Sequence, residues 1–352
     1  MSIKTILTAS TFALMASTAM AQEKTDFRVA WSIYVGWMPW GYMEDSGIMD
    51  KWAEKYGIDV EIVQINDYVE SINQYTAGAF DGVSATNMDT LSIPSGGGVD
   101  TTALIVGDFS NGNDAVILKG EGGLEDLSGK PVHLVELSVS HYLLARALDS
   151  VGLREADLDG VVNTSDADMI AAYATDDVQA VVTWNPLVSA ILEEPGATKL
   201  FDSADIPGEI IDLMVVNTET LAANPDFGKA LVGAWYETMA LMSSDSAEGI
   251  AAREAMAAAS GTDLAGYDAQ LASTQMFYDP AEAVAFANSA ELPATMVSVA
   301  EFLFDKGILG EGAPSADFVG IAYPDGSTTG DAGNVTFRFD TTYMQMAADG
   351  AL

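Results

Sequence analysis

Aromatic and acidic residues, rather than nucleophiles, mark the places in this sequence where chemistry could occur. Trp31, Trp37 and Trp40 gather at the end of one strand-like run, and Trp184 ends another just before Asn185 and Pro186. An indole face attracts a cation or stacks on a planar amidinium, with about 0.5–2 kcal/mol available per contact. Core packing is the rival use of the first three and claims at least one of them. Asn87, Met88 and Asp89 follow the run Val83 to Thr86, where a parallel strand end would present them to a ligand. Asp89 is open to two roles there, ligand contact or helix N-cap. Glu136 closes an apolar run from Val132 to Leu137, Ser138 and Ser140 open the helical pattern after it, and Asp212 begins a further strand-like run.

Catalytic constellations are not supported. The sequence has no Cys, which removes disulfides, thiolate metal sites and cysteine nucleophiles, and it has two His. His133 lies inside a strand-like run, where a packed imidazole is expected. Ser138, Ser140, His141 and Asp166 lack the Gly-x-Ser-x-Gly elbow that would expose a serine nucleophile. Ser95 to Gly98 lacks the Gly-Lys-Ser/Thr ending of a phosphate loop, and the acidic stretches Asp202 to Glu209 and Asp325 to Asp331 do not follow the calcium-loop pattern. The expectation is a chain that holds a solute and is not an enzyme, with no cofactor and no metal.

The elements that would position these residues alternate. Phe27 to Trp31 is strand-like, Met43 to Tyr56 reads as a helix stopped at Gly57, and Val60 to Ile65 alternates with period two. Ile72, Tyr75, Thr76 and Ala79 fall at helical spacing before the strand Val83 to Thr86. A second set follows the turn Leu124 to Lys130: the run from Val132, a helix with Leu144, Ala147, Leu148 and Val151 on one face, Val161 and Val162, a helix near Asp168 to Ala174, and the strand Ala180 to Trp184. Asp212 to Val216 returns the chain to the first set, helices such as the one carrying Met296, Val299, Ala300 and Leu303 follow, and the segment from Pro314 reads as a loop and C-terminal cover. This order predicts an α/β fold of two lobes with mostly parallel sheets and a cleft between them. Lobe 1 is assigned residues 22–112 and 217–352, and lobe 2 residues 113–216.

Lys4, the apolar run Ile6 to Met15 and the small residues of Ala19-Met20-Ala21 form the pattern of a cleavable export signal over residues 1–21, with Gln22 as the mature start. The apolar run is shorter than the roughly 20 residues that span a bilayer. With 14 Lys and Arg against 52 Asp and Glu, the formal net charge is -38, which repels nucleic acid and anionic membranes. Adaptation to a salty medium accounts for most of these carboxylates, so only those at a cleft merit a binding role.

Trp31-Ser32-Ile33-Tyr34 with Gly36-Trp37, Leu124-Glu125-Asp126-Leu127-Ser128-Gly129-Lys130-Pro131-Val132, and Ser138-Val139-Ser140-His141-Tyr142-Leu143-Leu144 resemble the nitrate, sulfonate and taurine class of periplasmic binding proteins. Gly36 to Gly41, Gln64 to Tyr75, Thr86 to Asp89 and Val182 to Pro186 resemble, more narrowly, the subgroup encoded beside urea carboxylase. The resemblance implies a type II-like two-lobed fold and a small-molecule solute, guanidinium first and urea second. It also implies a periplasmic location, monomeric delivery to an inner-membrane ABC permease, and no nucleic-acid partner. Strand-end position and this resemblance together put Trp31, Ser32, Trp37, Asn87, Met88, Asp89, Glu136, Ser138, Ser140, Trp184, Asn185 and Asp212 at the ligand. In the anion binders of the class the helix start at Ser138 and Ser140 would accept the anion. Glu136 stands just before it here, a departure that favours a cation or a neutral amide. An anion solute, a sensor lobe, or an enzyme on the same fold are the rival readings. Protein recovered from the cell envelope should begin at or near Gln22 by N-terminal sequencing; soluble cytoplasmic protein that retains Met1 would contradict the export signal.

Overall fold

The computed structural model describes residues 24–309 and 312–352. The export signal and its cleavage point at residues 1–21 lie outside the described residues. Strands β1 (Asp26–Trp31), β2 (Asp59–Gln64), β3 (Gly82–Thr86) and β4 (Thr101–Ser110) belong to a nine-stranded sheet. The chain then crosses to a five-stranded sheet made by β5 (Asp114–Lys119), β6 (Val132–Leu134), β7 (Val161–Asn163), β8 (Ala180–Trp184) and β9 (Ala197–Asp202). It returns through β10 (Ile211–Asn217) and finishes the large sheet with β11 (Thr274–Met276), β12 (Gly320–Ala322), β13 (Thr328–Thr329) and β14 (Val335–Phe339). The spatial order is β13-β12-β14-β4-β10-β3-β1-β2 with β11 beside β4, and β7-β6-β8-β5-β9.

Local sequence explains the elements. β2 alternates exposed and buried side chains, and Gly57, in the left-handed region at φ 70°, ends the helix Ile48–Tyr56 by donating its N–H to helix carbonyls. Asp67 caps the helix Tyr68–Thr76, accepting from the Glu70 N–H at 2.9 Å, and Ser138 caps Val139–Ser150. In the helix Glu291–Asp305, Met296, Val299 and Leu303 are buried, as their spacing predicts.

Several expectations are corrected. The sheets are mixed, because β10 runs antiparallel between β3 and β4, and β5 runs antiparallel to β8 and β9. β10 belongs to the large sheet, so the return crossing lies at 203–210 and not after 216. β6 stops at Leu134; Leu137 takes φ 63° and is 50% exposed, so Glu136 and Leu137 form a turn. The C-terminal segment contributes β12 to β14, since the alternating run at Val335–Phe339 pairs with β4. Among the described residues no helix is long and apolar enough to cross a membrane.

Trp31 is fixed by packing. Its indole covers Gly41 in the helix Met38–Asp45, where an added Cβ would sit 2.6 Å from Trp31 Cζ2. Gly41→Val should therefore lower the unfolding free energy by about 1–3 kcal/mol through overpacking, measured by urea denaturation. A variant as stable as the wild type would show that Trp31 is free to move.

Candidate functional site

The cavity between the sheets is lined by Tyr34, Trp37, Tyr68, Thr86, Asp114, Val139, Trp184, Ile210 and Asp212, and its free volume is about 10 Å³, room for about one water in this closed form. Four rings form its wall: Tyr34 meets Trp37 edge-on at 5.1 Å, Trp37 lies 5.6 Å from Tyr68, and Tyr68 meets Trp184 edge-on at 5.5 Å. The Trp184 indole N–H donates to the Ile33 carbonyl at 3.1 Å, which ties the end of β8 to the end of β1. Asn185 returns the link, its carbonyl accepting from the Val35 N–H at 3.2 Å.

Four carboxylates surround these rings, and each is at most 3% exposed: Asp89, Asp108, Asp114 and Asp212. Asp89 Oδ2 accepts from the Tyr68 hydroxyl at 2.7 Å, the Thr86 hydroxyl at 2.9 Å and the Val139 N–H at 3.2 Å. Tyr34 donates to Asp108 Oδ1 at 3.0 Å, and the Ser110 hydroxyl donates to Asp114. Asp89 Oδ1, Asp108 Oδ2 and Asp212 Oδ2 have no donor. No Lys, Arg or His lines the cavity, and among the described residues none of the four acids joins an ion pair. Burial penalises their charged forms: it lifts Asp89 to about 6, against the pull of its three donors, and Asp114 to about 7. Asp108 and Asp212 are raised by burial, and Asp212 rises further beside Asp108 and Asp114. The phenols of Tyr34 and Tyr68 are pushed up by burial and neighbouring acids, so they remain neutral donors. Such a site can hold a positive or hydrogen-donating solute.

Residues 49–248 match the family model described as NMT1/THI5 like, a stretch of more than half the chain. The chain belongs to the NMT1/THI5-like family. A candidate binding protein of Brucella abortus is 26% identical over 183 residues, covering 51% of this chain and 56% of that protein. The taurine-binding periplasmic protein of Escherichia coli is 29% identical over 130 residues, covering 36% and 40%. The chain thus spans about half the length, or less, of these relatives. The alkanesulfonate-binding protein of Xanthomonas axonopodis pv. citri, solved with MOPS bound, superposes with a TM-score of 0.67 at 18% identity, covering 90% of this chain and all of that one. The fold is therefore the mixed α/β, two-lobed fold of periplasmic binding proteins. These relatives are described as binding proteins and not as enzymes.

Within this NMT1/THI5-like chain, Trp37, Trp184 and Asp212 line the cavity. Asp89 stands one bond behind it, gripping Tyr68, Thr86 and Val139; Thr86 takes the N-cap role that was open to Asp89. Glu136 is exposed in its turn, which removes it from the site. Trp31 packs on Gly41, and Trp40 stacks on Trp235 at 5.0 Å. Asn87 bridges the Glu209 carbonyl and the Ile211 N–H, Met88 fills the core, and Asn185 binds Asn113 and Ser189, so these three brace the cleft from behind. Ser138 caps its own helix, while the buried hydroxyls of Ser32 and Ser140 have no partner and do not line the cavity. Tyr34, Tyr68, Asp108 and Asp114 escaped the sequence reading. Their signal was present: Asp108 follows the apolar run Ala103–Gly107 in β4 and Asp114 opens the apolar run Ala115–Leu118 in β5, on either side of the first crossing.

A pH dependence follows. An aspartate titrates near 3.9 when unfolded, and Asp114 at about 7 when folded. Its stabilising protonated form is fully present below pH 4, and that contribution is lost as pH rises through 7. Asp114→Asn should exceed the wild type by up to about 4 kcal/mol at pH 8, taking about 1.4 kcal/mol per pKa unit, and the gap should close by pH 4. Urea denaturation at both pH values checks this; a gap independent of pH would contradict it.

Proposed function

We propose that this chain is the solute-binding component of an ABC uptake system, located in the periplasm, and that its solute is a small planar nitrogen cation, guanidinium before urea. One observation carries the choice of solute: four buried carboxylates without a basic partner stand around a wall of four aromatic rings. Each buried charge costs free energy unless a counter-charge arrives, and a cation with charge spread over a flat face supplies it. The fork of N–H donors on a guanidinium has no acceptor and needs oxygens to receive it, and Asp212, which lines the cavity, has an Oδ2 without a donor.

The names of the relatives say that they bind taurine or alkanesulfonate. A sulfonate in this cavity would lie against Asp114 and Asp212 with no Arg, Lys or His in the lining. Urea carries no charge and gains less from the acids. The proposal extends to delivery to an inner-membrane permease, with the chain acting as a monomer.

Fluorescence titration with guanidinium chloride tests the site. Asp212→Asn should weaken binding by two to three orders of magnitude, because it removes a carboxylate that would pair with the cation. Trp184→Ala should weaken it more than tenfold, and Glu136→Gln should leave it unchanged. Unaltered affinity in Asp212→Asn would remove the cation reading.

A further inference from the structure

Asp108 and Asp212 are directly opposed residues of the antiparallel strands β4 and β10. On its other side Asp212 is paired with Thr86, so it lines the cavity while Asp108 lies behind. Both are sealed from solvent, at 0% and 3% exposure, and the Oδ2 of each has no protein donor. Asp108 is anchored: Tyr34 donates to its Oδ1, and the Asn113 amide donates to the Tyr34 hydroxyl at 3.2 Å. An added Cβ at Gly36 would lie 2.5 Å from Asp108 Oδ2, so the glycine is what lets this carboxyl sit here. Two adjacent carboxylates in a dry site cannot both ionise without a cation.

We infer that Asp108 and Asp212 share one proton in the free protein, that a captured cation expels it, and that a neutral amide is held with the proton in place. The inference deepens the functional reading above and rests on it for the choice of cation. Charge balances: the pair carries one negative charge with its proton, and two negative charges plus one positive when the cation replaces it, the proton leaving to solvent. With the proton retained the pair needs no cation to offset a second charge, so the pair sets which charge of solute the site accepts.

The surroundings hold the proton in. Asp114 faces both acids, and Asp89 acts on Asp114. Tyr267 and Tyr278 stand within electrostatic reach of Asp108 as neutral phenols. Beyond them Arg253 is engaged by Asp268 and by the carbonyls of Met242 and Ser244. Asp108 and Asp212 are raised by burial, in keeping with a retained proton.

Two measurements test this. At pH 8, above the titration of Asp89 and Asp114, the infrared spectrum of the free wild type should show a protonated carboxyl that Asp108→Asn loses and the exposed-site control Glu136→Gln keeps. Calorimetry with guanidinium chloride in buffers of different ionisation enthalpy should then show close to one proton released. Affinity for guanidinium should fall up to tenfold per pH unit on acidification, while any urea binding stays flat. Asp108→Asn should release almost none; Glu136→Gln, an exposed residue away from the cavity, should still release it at pH 8. A free protein without the carboxyl band overturns the shared proton whatever the solute. Guanidinium binding without proton release overturns the exchange. Failure of guanidinium to bind while the band is present overturns the functional reading and leaves the shared proton standing.

Discussion

Burial of acid without base is the constraint on which the site depends. A lone ionised carboxylate in an apolar interior costs several kcal/mol, and this cleft gathers four. Hydrogen bonds offset part of that cost: three donors converge on Asp89, one hydroxyl on Asp108 and one on Asp114. They leave three oxygens vacant, so the free protein is less stable at neutral pH than its packing alone would allow. That deficit is the part of its energy a cationic solute can recover.

The fold concentrates these groups by its two crossings. The first passes from the end of β4 to the start of β5 and carries Asp108, Asn113 and Asp114; the second ends at β10 and carries Asp212. Because β10 is inserted antiparallel between β3 and β4, Asp212 meets Asp108 on one side and Thr86 on the other. The aromatic wall closes over them from both lobes, with Tyr34, Trp37 and Tyr68 from one and Trp184 from the other. Contacts between the lobes, such as Trp184 to Ile33 and Asp166 to the Tyr68 N–H at 3.3 Å, hold the rings in register. A hinge at the crossings would separate the rings and open the cavity.

Much of this was legible in the sequence where the signal is local. Period-two alternation marked β2, Gly57 marked a helix end, and Trp184 before Asn185-Pro186 marked a strand end at the cleft. Non-local pairing was not legible. The opposition of Asp108 and Asp212 depends on strand register between segments far apart in the chain, and in so acidic a sequence one more aspartate draws no notice. Glu136 was misplaced because Val135 and Leu137 flank it like a strand, whereas Leu137 takes a left-handed backbone that turns the segment outward. Trp31 and Trp40 share the composition of a stacking site, but Gly41 and Trp235 supply their actual partners.

The sign of the solute charge is the central claim, and a direct titration of the wild-type protein at pH 8 decides it. Guanidinium chloride should bind saturably with one site per chain, and taurine should give no binding heat. Saturable binding of taurine with no response to guanidinium would contradict the account, because a buried anion would then have to share the cavity with Asp114 and Asp212.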